Sequence, residues 1–146
     1  MNSEYKAVLV TGVIGEDVHV TGIRILEHAL RKDGYAVHSL GIHNSQEDFI
    51  NKAIEVKADA VLISSLAGHA EMLVQGFREK CDKADLKDIK LYIGGQLVIH
   101  AEEWAATEKR FIDLGFTAVA APFNPPKNVL AELNSDLCSE QNKTSA

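Results

Sequence analysis

Two side chains two residues apart, Asp17 and His19, form the stretch of this sequence with the most chemistry in it. An imidazole can coordinate a metal through one ring nitrogen. A carboxylate bonded to the other nitrogen fixes the tautomer and raises the ligand's basicity. Gly22 follows shortly after; it has no Cβ, so a ligand can come close to the backbone there. Further on stand two runs of small or hydroxylated residues, Ser64-Ser65-Leu66 and Gly94-Gly95. Each has a plain default reading. A lone histidine in a loop is ordinarily a surface or capping group, Asp17 a helix N-cap, Ser64 a strand-end hydroxyl and Gly94-Gly95 a turn. Where these residues lie relative to the strands decides between the readings.

The elements that must position them alternate between apolar strands and amphipathic helices. Tyr5 to Thr11 has a continuous Ala-Val-Leu-Val centre, the pattern of a strand buried on both faces of a parallel sheet. Gly12 to Gly22 reads as loop. Ile23 to Lys32 reads as a helix with Ile23, Leu26 and Leu30 on one face and Ile25 and Ala29 beside them, stopped at Asp33-Gly34. Tyr35 to Leu40 is a second strand. Ser45 is placed to cap a second helix whose first turn carries Glu47 and Asp48, with Phe49, Ile50, Ala53 and Ile54 as its buried stripe. Asp59 to Ile63 is a third strand, followed by a loop at Ser64 to Gly68. A third helix is expected from Ala70 to Cys81, burying Met72, Leu73, Gly76 and Phe77. Strand four, Ile89 to Ile93, runs into Gly94-Gly95. A fourth helix covers Ala101 to Leu114 with Trp104, Phe111 and Ile112 inward, Thr117 to Ala120 is a fifth strand, and Pro125-Pro126 opens a last helix. This series predicts an α/β fold: a single doubly wound, flavodoxin-like, five-stranded parallel sheet of order 2-1-3-4-5 with helices on both faces. The expected domain spans residues 1–138, with a disordered polar tail at 139–146.

Composition narrows the function. The 146 residues include 46% hydrophobic and 25% charged side chains, as in an ordinary globular protein with one core. A net charge of −6 with no basic block argues against nucleic acid as a partner. The two cysteines, Cys81 and Cys138, are far apart and fit a reducing compartment. The N-terminus lacks a signal-peptide layout, and no apolar run nears the roughly 20 residues that span a bilayer. The expectation is a cytoplasmic protein with no membrane partner.

In a sheet of this order, ligands bind in the crevice at the carboxyl ends of the strands. A dinucleotide would need G-x-G-x-x-G, whereas the first loop offers Gly12 and Gly15 and then two acids, Glu16 and Asp17, that repel phosphate. The same acids disfavour a flavodoxin-type phosphate loop, and no Gly-Lys-Ser/Thr is present for a P-loop. A phospho-acceptor domain needs a carboxylate where strand three ends at Ser64. A zinc site needs three or four convergent ligands, and besides Asp17 and His19 only the remote His69 and His100 offer themselves. A ligand wanting one imidazole, hydroxyls, small residues and a long slot beside the sheet remains.

The sequence here resembles the cobalamin-binding domains, whose fingerprint is Asp-x-His-x-x-Gly, then Ser-x-Leu, then Gly-Gly. Asp17-x-His19-x-x-Gly22, Ser64-x-Leu66 and Gly94-Gly95 match it in order, each after the expected strand. The likeness extends over most of the chain. Gly12-Val13-Ile14-Gly15, Ser45 to Asn51, Arg78 to Asp82 and Leu86 to Leu91 are similar to the small subunit of glutamate mutase (methylaspartate mutase). Ala120 to Asn124 departs from the pattern by lacking a glycine after strand five.

The resemblance implies adenosylcobalamin as cofactor, with cobalt axially ligated by His19 in place of the cofactor's own base and with Asp17 tuning that ligand. It implies contacts to the cofactor from Glu16, Asp17, Val18, His19, Val20 and Gly22, from Ser64, Ser65 and Leu66, and from Gly94, Gly95, Gln96, Leu97, Val98, Ile99 and His100. Ser64 would bond the dimethylbenzimidazole of a nucleotide tail threaded between the sheet and the first helix, in a slot that side chains at positions 94 and 95 would fill. The implied reaction interconverts L-glutamate and threo-3-methylaspartate. No catalytic residue is assigned to this chain. The sequence holds no arginine cluster for a dicarboxylate, and the resemblance implies that the substrate is bound by a large barrel-shaped catalytic subunit in a heterotetramer of two small and two large chains. A corrinoid carrier of a methyltransferase system and a cobalamin-binding regulator are the alternatives. His28, His38 and His43 read as structural or surface groups.

Overall fold

The computed structural model describes residues 7–14, 21–66, 74–86, 89–96, 104–119 and 126–138. The expected tail at 139–146 lies outside these residues. Strands β1 (Val8–Val13), β2 (Ala36–Ser39), β3 (Ala60–Leu66), β4 (Lys90–Gln96) and β5 (Ala118–Val119) form one sheet of order β2-β1-β3-β4-β5, parallel throughout. Between them run α1 (Thr21–Lys32), α2 (Gln46–Val56), α3 (Phe77–Lys83) and α4 (Trp104–Asp113), and α5 (Pro126–Leu133) follows β5. This is the order expected from the alternating pattern. Among the described residues no helix is long and apolar enough to cross a membrane.

β1 is buried along its whole length because it lies inside the sheet and is covered on both faces. Successive side chains alternate between those faces. Leu9, Ala60, Leu62, Tyr92 and Ala118 pack with Leu30 of α1 and Leu133 of α5. Val10, Val61, Ile63, Leu91 and Ile93 face the other way, toward Phe49 and Ala53 of α2, Phe77 and Cys81 of α3 and Phe111 of α4. On that second face Phe49, Phe77, Phe116 and Phe111 make successive ring contacts with centroids 6.2, 6.4 and 6.0 Å apart, tilted or edge-on as ring quadrupoles favour.

The helices follow the expected periodicity with instructive exceptions. Ser45 caps α2 with a complete capping box: Asp48 N–H donates to Ser45 Oγ at 3.2 Å and Ser45 N–H to Asp48 Oδ2 at 2.8 Å. Ile54 is 48% exposed, because Phe49, Ile50 and Ala53 already make up the face α2 turns to the sheet. For the same reason Ile112 of α4 points outward while Phe111 is buried. In α1 the buried face is Ile23, Glu27 and Leu30, spaced i, i+4, i+7, and Ile25 is exposed. The third helix is shorter than its apolar pattern suggested. It begins at Phe77, and Gly76 is its N-cap at φ 74°, exposed instead of buried; Met72 and Leu73 lie outside the described residues. α5 opens at Pro126 and runs into a π-helical turn, Asn134–Cys138, that the sequence did not announce. Two tyrosines hold this turn: Tyr35 Oη donates to Asn134 Oδ1 at 2.5 Å and Tyr92 Oη to Asp136 Oδ2 at 2.6 Å.

Candidate functional site

The carboxyl edge of the sheet differs from expectation in one respect that matters for chemistry. Ser64-Ser65-Leu66 and Gly94-Gly95-Gln96 are the last residues of β3 and β4, not loop. They pair in register, Ser64 with Gly94, Ser65 with Gly95 and Leu66 with Gln96, and Val13 of β1 pairs with Ser64 on the other side. Strand alternation then sorts them by face. Ser64 and Gly94 share the face of Leu62 and Tyr92, under α1 and α5, whereas Ser65 shares the face of Ile63.

On the α1 side, cross-strand rows descend in size. Thr11, Leu62 and Tyr92 form a buried row. One step toward the carboxyl edge the row is Val13, Ser64 and Gly94, with Ser64 and Gly94 only partly buried. The drop from a tyrosine ring to no side chain on β4 leaves a step in the sheet surface with a hydroxyl at its centre. Below it Thr11 Oγ1 donates to Glu27 Oε2, at 2.5 Å and buried, tying β1 to α1. On the opposite face Ser65 is 1% exposed, and its Oγ has no hydrogen-bond partner among the described residues.

Of the other expected site residues, Gly22 belongs to the first turn of α1 and not to the loop before it. Glu16, Asp17, Val18, His19 and Val20 fall at 15–20, and Leu97, Val98, Ile99 and His100 at 97–100, outside the described residues. On either side of the first of these, Ile14 N–H donates to Ser64 O at 3.1 Å and α1 begins at Thr21. Cys81 offers no nucleophile: burial pushes its thiol up to about 11.

Three residues near the edge were not singled out beforehand. Glu27 is a buried carboxylate on the apolar stripe of α1, and its i+4 spacing from Ile23 was a readable signal. Asn44 is 8% exposed, and its amide donates to Val13 O at 3.1 Å and Gly41 O at 3.0 Å. Gly12 lies under Asn44, where a Cβ would come within 3.1 Å of Nδ2. Nothing in local sequence announces the last two, since they depend on how the β2–α2 connection lies against β1.

Residues 7–122 match the B12 binding domain family. The glutamate mutase sigma subunit of Clostridium tetani is 48% identical over 132 residues, covering 90% of this chain and 96% of that protein. The glutamate mutase sigma subunit of Clostridium cochlearium is 47% identical over the same span. Among solved structures, the monomethylamine corrinoid protein of Methanosarcina barkeri superposes with a TM-score of 0.71 at 21% identity, over 90% of this chain but 60% of its own, so the likeness is one of fold. The sheet order and the stepped row Val13, Ser64, Gly94 thus fall within a match that spans nearly the whole sequence, and this chain belongs to the B12 binding domain family and, within it, to the glutamate mutase sigma subunits.

Proposed function

We propose that this chain is the cobalamin-binding subunit of an adenosylcobalamin-dependent glutamate mutase, which interconverts L-glutamate and threo-3-methylaspartate. The observation that carries the reading is the row Val13, Ser64, Gly94 beneath α1, in a chain 48% identical to a glutamate mutase sigma subunit. The residues fit the cofactor. An aromatic base on a flexible arm needs a slot floored by small side chains with one hydroxyl to bond a ring nitrogen, and Gly94 and Ser64 offer that floor and that hydroxyl. Corrinoid carriage between methyltransferases has fold alone behind it, at 21% identity.

The cofactor, when bound, supplies a cobalt–carbon bond that breaks homolytically, and with it the radical chemistry. This chain's residues hold and orient. His19 would hold the cobalt through a ring nitrogen. Asp17 would accept a hydrogen bond from the other nitrogen, fixing the imidazole's tautomer and keeping it a good donor. Ser64 bonds the base of the tail. The substrate is bound by a larger barrel-shaped subunit, two of which join two copies of this chain. That subunit would close the site over the bound cofactor and exclude water from it.

The test is spectroscopic. In the cobalt(II) state the bound cofactor should show hyperfine splitting from one protein nitrogen, and ¹⁵N-histidine labelling should change the pattern. His19→Gly should abolish that splitting, weaken cofactor binding and cut turnover by orders of magnitude. A spectrum indifferent to the label would remove His19 as ligand.

A further inference from the structure

We propose that Asn44 is a positioning residue for the axial ligand: it anchors the end of β1 from which the segment carrying His19 departs. The inference rests on the reading of His19 given above and adds a residue that touches neither cofactor nor substrate.

β1 outruns its neighbour. β2 ends at Ser39, paired with Thr11, and β1 continues to Val13, with Ile14 just beyond it. At that edge the peptide groups of β1 lose their strand partner, and as buried groups they must find another. The connection from β2 to α2 supplies it. Leu40 N–H donates to Thr11 O at 2.8 Å, Val13 N–H donates to Gly41 O at 2.8 Å, and Asn44 N–H donates to Val13 O at 3.2 Å, making an isolated bridge between Asn44 and Ile14. The Asn44 side chain then completes the arrangement. Its Nδ2 donates to Val13 O at 3.1 Å and to Gly41 O at 3.0 Å, so Val13 O accepts from both the main chain and the side chain of one residue. The acceptors are carbonyls, which fixes the amide orientation. On the other edge of β1, Ile14 N–H is held by Ser64 O.

The last turn of β1 is thus gripped from both sides, by Asn44 on one and by the strand carrying Ser64 on the other. Gly12 permits the close approach: a Cβ there would meet Asn44 Nδ2 at 3.1 Å, Leu40 Cβ at 3.2 Å and Phe49 Cε1 at 3.2 Å. His19 follows Ile14 by five positions. With His19 as ligand and the tail held at Ser64 and Gly94, a shift of this departure point would be passed along the chain to the imidazole without moving the tail. Geometric errors of this kind, about 1 Å, can cost on the order of a hundredfold in rate when they reach the reacting centre.

Asn44→Asp is the sharp variant. It keeps the size and shape but replaces the two N–H donors of Nδ2 with one carboxylate oxygen facing the two carbonyls. Asn44→Ser, which retains one donor, is the partial rescue. Gly12→Ala presses on the same contact from the strand side. The measurements are cobalamin affinity and the cobalt(II) hyperfine pattern of the bound fraction in ¹⁵N-histidine-labelled protein, beside thermal melting without cofactor. We expect Asn44→Asp to weaken binding roughly tenfold or more, the scale of losing donors to buried carbonyls. The bound fraction should lose part of its histidine splitting, with Asn44→Ser and Gly12→Ala intermediate. Cobinamide, which lacks the tail, should lose affinity too, because the defect lies in the ligand segment and not in the slot. A merely structural role predicts a lower melting temperature with an unaltered hyperfine pattern in whatever fraction binds, and that result overturns the proposal. Should Asn44→Asp fail to fold, the same two readings are taken on Asn44→Ser and Gly12→Ala, and unaltered patterns in both overturn it equally. If the wild-type chain itself shows no histidine splitting, the assignment of His19 falls instead.

Discussion

Gly94 is where one added side chain separates the role of the slot from the stability of the fold. It lies inside β4 opposite Ser64, and valine is a better strand former than glycine, so Gly94→Val should leave the cofactor-free protein at least as stable. The added isopropyl group would occupy the step above Tyr92. Overpacking a close-fitting site costs about 1–3 kcal/mol, or roughly five- to a hundredfold and more in affinity at 1.4 kcal/mol per tenfold. Isothermal titration with adenosylcobalamin should show that loss, and with cobinamide a much smaller one. Equal losses for both ligands would mean that the tail does not lie over Gly94.

In the strands and helices, what could be read from the sequence was type and order, and what could not was where each one ends. Continuous apolar runs announced β1, β3 and β4, but serines and glycines at their carboxyl ends look like loop in isolation. They are strand because neighbouring strands pair with them, a tertiary effect that no window of local sequence contains. Ile25, Ile54 and Ile112 looked like core for the opposite reason: hydrophobicity says a residue may be buried, and only the packed face says whether it is. The π-helical turn after α5 depends on Tyr35 and Tyr92, remote in sequence, and was invisible for that reason. Two groups in these elements lead to a pH prediction. Burial lifts the Cys81 thiol from its ordinary 9.0 to about 11, and burial with the Asp136 bond lifts Tyr92 well above its ordinary 10.0. Both hold their protons more tightly folded than unfolded, so above pH ~9 the unfolded chain releases protons that the folded chain keeps. Stability from these groups is intact below that pH and falls as pH climbs toward 11. Thermal melts from pH 7 to 11 should show the decline, and Tyr92→Phe together with Cys81→Ala should flatten it.

For the molecule as a whole, the expected consequence of a site at the carboxyl ends of the strands is dependence on a second polypeptide. Its helices cover the two faces of the sheet, and the carboxyl edge with Ser64 and Gly94 is where a corrin and a partner would both have to dock. The purified chain with adenosylcobalamin should turn over no glutamate, and partner affinity should rise with cofactor, as linkage requires when a ligand forms part of an interface. Turnover by this chain alone, or partner binding indifferent to cofactor, would contradict the assignment. The stepped row has one more consequence, in how the protein acquires its shape. Val13, Ser64 and Gly94 come from segments far apart along the chain and meet only when three parallel strands have closed across long connections, the slow kind of contact for a folding chain. If the tail lies over this row as proposed, no fragment or half-formed intermediate would own the slot, and the cofactor would recognise only the finished fold. Cobalamin at a hundred times its dissociation constant should therefore stabilise the chain by about 2.7 kcal/mol, and it should do so by slowing unfolding while leaving the folding rate untouched.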